Sequence, residues 1–116
     1  MRILITVAPL MYRESLALTL QRHRPDSEVL FGAAESLDGE AELFRPHLLI
    51  RNDTDGVDME LRKGSLCWIE ILYSDGLGAR INLAGEVWEI KDISTEDLVG
   101  IVDRVEKLMA EATPAY

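Results

Sequence analysis

Residues 2–30 read RILITVAPLMYRESLALTLQRHRPDSEVL, and the changes of period along this stretch decide the fold class. Arg2 to Val7 is a short run rich in β-branched residues, of the buried-strand type. The period then changes. Leu16 and Leu20 share a helical stripe with Met11 or Tyr12, while Arg13, Glu14 and Arg22 face water. Pro25-Asp26 stops the helix, because proline supplies no amide for a further turn. Residues 27–34, SEVLFGAA, resume a strand pattern.

Working outward, residues 36–44, SLDGEAELF, form at most a short amphipathic helix, and Pro46 opens a third strand over Leu48 to Arg51. Strand, helix, strand, helix, strand implies a parallel sheet joined by crossovers. In such sheets ligands bind beyond the carboxyl ends of the strands. Val7, Ala8, Asn52, Asp53 and Asp55 therefore line one rim.

Residues 56–64, GVDMELRKG, have room for one or two helical turns, and residues 66–74, LCWIEILYS, are a fourth strand. Residues 75–90, DGLGARINLAGEVWEI, alternate apolar and polar side chains, with Ala84-Gly85 between the two halves. This predicts antiparallel strands over 79–90, a β-hairpin rather than a helix. Its apolar members are Ile81, Leu83, Val87 and Ile90. Trp68 is expected in the core. For Trp88 two placements stay open: the core, or the opposite face beyond an inward pair of Val87 and Ile90, where Trp88, Ile81 and Leu83 form a candidate interface. Ser94 with Asp97 resembles a capping box, and it opens a long helix with Leu98, Ile101, Val102, Val105, Leu108 and Met109 on one face. The whole chain reads as one domain, residues 1–116.

A net charge of −9 and a pI near 4.6 argue against nucleic acid and anionic membrane partners, because phosphate binding requires a basic footprint. The single cysteine, Cys67, excludes an internal disulfide, and with only His23 and His47 beside it no structural zinc set can be assembled. Its apolar surroundings predict a buried thiol. No metal or cofactor is expected. The segment ILITVAPLM is too short to span a bilayer and lacks a signal-peptide pattern, so a cytoplasmic protein is expected.

The acidic run after the third strand suggests two chemistries and fits neither. In an EF-hand loop with Asp53 and Asp55 as third and fifth ligands, Arg51 and Arg62 would fill the first and twelfth places, where carboxylates are required. The run DTDGV is similar to the nucleophile motif of haloacid dehalogenases, but the downstream lysine and acidic pair have only Lys91 and Asp92 to represent them. No P-loop, nucleophile elbow or glycine-rich dinucleotide turn is present.

Three stretches carry a family resemblance. The opening 29 residues quoted above, RPHLLIRND over 45–53 and VWEIKDISTEDLVGIV over 87–102 resemble the first, third and fifth strands and last helix of response-regulator receiver domains. The resemblance implies a three-layer, flavodoxin-like α/β fold, here with the third helix shortened and the fourth replaced by the hairpin. It also implies where chemistry would sit, and most of it is missing. The magnesium-binding carboxylates after the first strand are replaced by Val7 and Ala8, and the phosphoacceptor position falls on Asn52. A one-residue shift would make Asp53 the acceptor without restoring the metal ligands. Ser74 and Lys91 match the family's hydroxyl and lysine positions. The function implied is a phosphorylation-independent interaction module that is not an enzyme. It would act as a homodimer, through the hairpin and last helix, or with a protein partner. The alternatives are a small-ligand site on Asn52, Asp53, Tyr73, Ser74 and Lys91, and a weak phosphoacceptor or phosphohydrolase using Asp53.

Overall fold

The computed structural model describes residues 1–7, 10–32, 40–52, 65–72 and 78–112. Along them run β1 (Arg2–Ile5), α1 (Leu10–His23), β2 (Glu28–Phe31), α2 (Glu40–Phe44), β3 (Leu48–Asn52), β4 (Cys67–Leu72), β5 (Gly78–Leu83), β6 (Glu86–Ile90) and α3 (Thr95–Ala112). The strands form one open six-stranded sheet in the order β2-β1-β3-β4-β5-β6. β1 to β4 are mutually parallel. β5 pairs antiparallel with β4, and β6 antiparallel with β5, so β6 again runs in the direction of β4.

The two faces differ in what covers them. Ile3, Ile5, Leu48, Ile50, Ile69 and Ile81 join Leu16 and Leu20 of α1 and Leu98, Val102 and Val105 of α3 in the main core. Each fully buried aliphatic side chain of this kind contributes about 1.5–3 kcal/mol. On the other face Leu4 and Leu49 meet Leu30, Trp68 and Phe44 of α2. α1 ends where Pro25 enters a turn, with the Ser27 amide donating to the Arg24 carbonyl at 2.9 Å. Arg22 and His23 lie in its last turn, where cations suit the helix dipole. Its buried stripe is Leu16, Ala17 and Leu20, whereas Met11 is 82% exposed and does not belong to it.

Helix α3 begins on a reciprocal capping box. The Asp97 amide donates to Ser94 Oγ at 3.1 Å, and the Ser94 amide to Asp97 Oδ2 at 2.9 Å. The expected apolar stripe of this helix faces the sheet throughout. Cys67 is fully buried, and burial pushes its thiol up to about 12.

The hairpin turns at Ala84-Gly85, as its alternation predicts. Ala84 has φ 52° and Gly85 φ 93°, both positive, the signature of a type I′ turn that follows the sheet's twist. The Ala84 amide donates to the Leu66 carbonyl at 2.9 Å, and the Gly85 amide to Asn82 Oδ1 at 3.1 Å. An alanine in this left-handed region costs roughly 1–2 kcal/mol, which asparagine tolerates better. Ala84→Asn is therefore expected to raise stability by about 0.5–1 kcal/mol. The check is the urea midpoint at unchanged m-value, and a lower midpoint refutes the strain argument.

The face assignment within the hairpin corrects the expectation for its interface. A strand alternates strictly, so Val87 and Ile90 cannot both point inward. Trp88 and Ile90 are the members that pack on the core, and Val87 points out, 55% exposed. Arg104 of α3 lies over the Trp88 ring at 4.8 Å from its centroid. Ile81 and Leu83 are 0% and 2% exposed beneath α3, so neither presents a surface to a partner. The expected shortened third helix, within residues 53–64, lies outside the described residues.

Candidate functional site

The rim at the carboxyl ends of the parallel strands is built by backbone register. The Thr6 amide donates to the Ile50 carbonyl at 2.8 Å and the Gly32 amide to the Ile5 carbonyl at 3.2 Å, which holds the ends of β1, β2 and β3 level. Thr6, Val7 and Asn52 stand there, each at most 4% exposed. Of the other expected rim residues, Ala8, Asp53, Tyr73 and Ser74 lie outside the described residues. Lys91 is described, and it stands elsewhere.

The reason is the strand inserted before it. Asn52 registers with Ile71, Ile71 with Ala79, and Ala79 with Ile90, so the residue preceding Lys91 is three strands away from Asn52. At about 4.8 Å per strand that is roughly 14 Å. A lysine side chain reaches only about 6 Å from its Cα, so the backbone does not bring Lys91 to the Asn52 column. The polar rim expected for a small ligand is thus divided among the described residues, with Asn52 at the sheet centre and Lys91 at its edge.

A different polar arrangement crosses the sheet. Arg51 registers with Glu70, Glu70 with Arg80, and Arg80 with Glu89, one residue from each of β3, β4, β5 and β6. All four lie on the face opposite α1 and α3, and their charges alternate. Arg51 Nη1 is 3.1 Å from Glu70 Oε2, Arg80 Nη1 is 4.0 Å from Glu70 Oε1, and Arg80 Nη2 is 3.3 Å from Glu89 Oε1. Side-chain exposure rises along the row from 6% at Arg51 and 9% at Glu70 to 43% at Arg80 and 62% at Glu89. Opposite charges directly across neighbouring strands stabilise the pairing, by roughly 0.2–1 kcal/mol where exposed. Sequence reasoning missed this row. Its only signal is a charged residue next to an apolar one in each strand, and the pairing order needed to align the four is not written in any single segment.

Two further clusters tie elements together. His47 opens β3, with its amide donating to the Arg2 carbonyl and its Nδ1 accepting from the Arg2 amide, both at 2.9 Å. Partial burial and the Arg2 charge favour the neutral ring that this acceptor role requires. At the other end of the main core, Asp103 of α3 meets His23 Nε2 at 2.8 Å and Arg24 Nη2 at 2.7 Å, which clamps α3 to the end of α1. Hydrogen bonds from His23 and then Arg24 hold the Asp103 carboxyl below its usual range.

Among the described residues no group of His, Cys, Asp and Glu is arranged to hold a metal ion, and no helix is long and apolar enough to cross a membrane. No protein-family model, curated protein or solved structure matches this chain.

Proposed function

We propose that this chain is a cytoplasmic, receiver-like interaction module that works without phosphorylation. It binds another protein chain, a copy of itself or a different one, and catalyses no reaction. The observation that carries the reading is the pairing of a strand order with a missing chemistry. β2-β1-β3-β4 is the order of a flavodoxin-like parallel sheet, whose ligands bind where β1 and β3 end. At that point this chain places Thr6, Val7 and Asn52, with no carboxylate among them. A side-chain amide forms no acyl phosphate, and magnesium is held in phosphoryl-transfer sites by carboxylates and phosphates. The distance of Lys91 from this column further disfavours the small-ligand reading.

The experiment is intact-mass spectrometry after incubation with acetyl phosphate and Mg²⁺. The expected spectrum equals that of the untreated protein. A stoichiometric phosphate adduct mapping to Asp53 would replace this reading with a phosphoacceptor one.

A further inference from the structure

β6 ends the sheet, and among the described strands none pairs with its outer side. A two-residue turn makes Leu83 and Glu86 the first hydrogen-bonded pair of the hairpin. Hydrogen-bonded and open pairs then alternate, so the amides and carbonyls of Val87 and Glu89 point away from β5. Both residues are exposed. The register from Leu83–Glu86 to Ala79–Ile90 is one-to-one, without a bulge. The strand Glu86-Val87-Trp88-Glu89-Ile90 contains neither proline nor lysine, the residues that commonly blunt an edge.

The side chains along this edge specify what would fit. The charged row Arg51, Glu70, Arg80, Glu89 alternates in sign and stops on an anion. The neighbouring row on the same face runs Leu4, Leu49, Trp68, Asn82, Val87 and stops on an exposed apolar residue. A seventh strand continuing both rows needs a cation opposite Glu89 and an apolar residue opposite Val87. In antiparallel pairing these lie two positions apart, the cation first.

We propose that β6 binds an extended segment of a partner protein by antiparallel strand addition, with lysine or arginine opposite Glu89 and an apolar residue opposite Val87. This rests on the interaction reading above and names its partner chemistry. A second copy of the chain fits less well. Self-pairing centred on Glu89 opposes two glutamates, and the chain's net charge of −9 repels its like. The self-pairing register that brings Lys91 to Glu89 runs past the end of β6, where Asp92 turns the backbone away with φ 50°.

Main-chain bonds give such additions their affinity and the side chains their selectivity. The probe is a blocked peptide, Thr-Thr-Lys-Thr-Val-Thr-Thr, titrated into the isotope-labelled protein beside the same peptide with glutamate for lysine. The lysine peptide is expected to shift the β6 amides and to bind about three- to fivefold tighter than the glutamate peptide. Glu89→Lys is expected to reverse that preference. Val87→Pro removes an outward amide that does not bond to β5, and is expected to abolish binding by both peptides. Failure of both peptides to bind at millimolar concentration, or a preference unchanged by Glu89→Lys, overturns the proposal. So does a doubled mass in light scattering that Val87→Pro abolishes, which would seat a second copy on the edge. None of these outcomes bears on the phosphoacceptor question, which the mass measurement decides separately.

Discussion

Glu70→Ala is expected to lower the stability of the fold by about 3–5 kcal/mol, because it removes the carboxylate from a buried ion pair with Arg51. The two side chains are only 6% and 9% exposed and 3.1 Å apart. Water cannot freely replace the lost carboxylate there, so the cost exceeds that of an exposed salt bridge. Arg80, a second cation near Glu70, is 43% exposed and remains solvated after the change. The loss is large against the roughly 5–15 kcal/mol that holds a typical domain together. Urea unfolding of the single variant and of the double variant Arg51→Met with Glu70→Leu provides the check. The double variant is expected to recover most of the loss, since replacing both charges removes the penalty with the attraction. A single-variant loss under about 1 kcal/mol would show that the pair is solvated in solution.

Ile81→Ala is expected to cost about 2–5 kcal/mol, while Val87→Ala costs less than about 0.5. The two positions lie on facing strands of one hairpin, yet Ile81 is fully buried under α3 and Val87 is 55% exposed. Truncating Ile81 leaves a cavity between β5 and α3 that the sheet cannot close without shifting register. Truncating Val87 removes only a side chain already in water. Thermal or urea unfolding of the two variants checks the assignment of faces: equal losses refute it, and a larger loss for Val87→Ala would mean that the hairpin is flipped. Trp88→Ala is unsuited to testing an interface in isolation, because it also removes the surface on which Arg104 rests.

Period and turn chemistry made much of the fold legible. The Ala84-Gly85 hairpin and the Ser94–Asp97 cap are local patterns, each complete within a dozen residues, and the parallel opening is a succession of such short runs over residues 2–51. The facing of Trp88 was legible in the alternation, because Trp88 and Ile90 share one parity and Val87 shares the other with Glu89. Burial agrees, since the indole covers more core than the valine does. The candidate rim was legible only up to strand order. Lys91 follows a strand as expected, but the inserted β5 adds one more inter-strand spacing, and pairing order is a property of the whole sheet. Arg51 and Glu70 were hidden for the same reason. Each is a charge in an apolar strand, and their adjacency across the sheet helps explain why they tolerate burial.

The row from Arg51 to Glu89 also passes from one dielectric to another. A pair of unit charges 4 Å apart attracts with about 4 kcal/mol at an effective constant of 20 and about 1 kcal/mol in water. The four charges thus carry unequal weight although they alternate evenly. Dissolved salt partly weakens the exposed Arg80–Glu89 contact and scarcely reaches the buried Arg51–Glu70 pair. Electrolyte therefore weakens the hairpin end of the charged row before its centre.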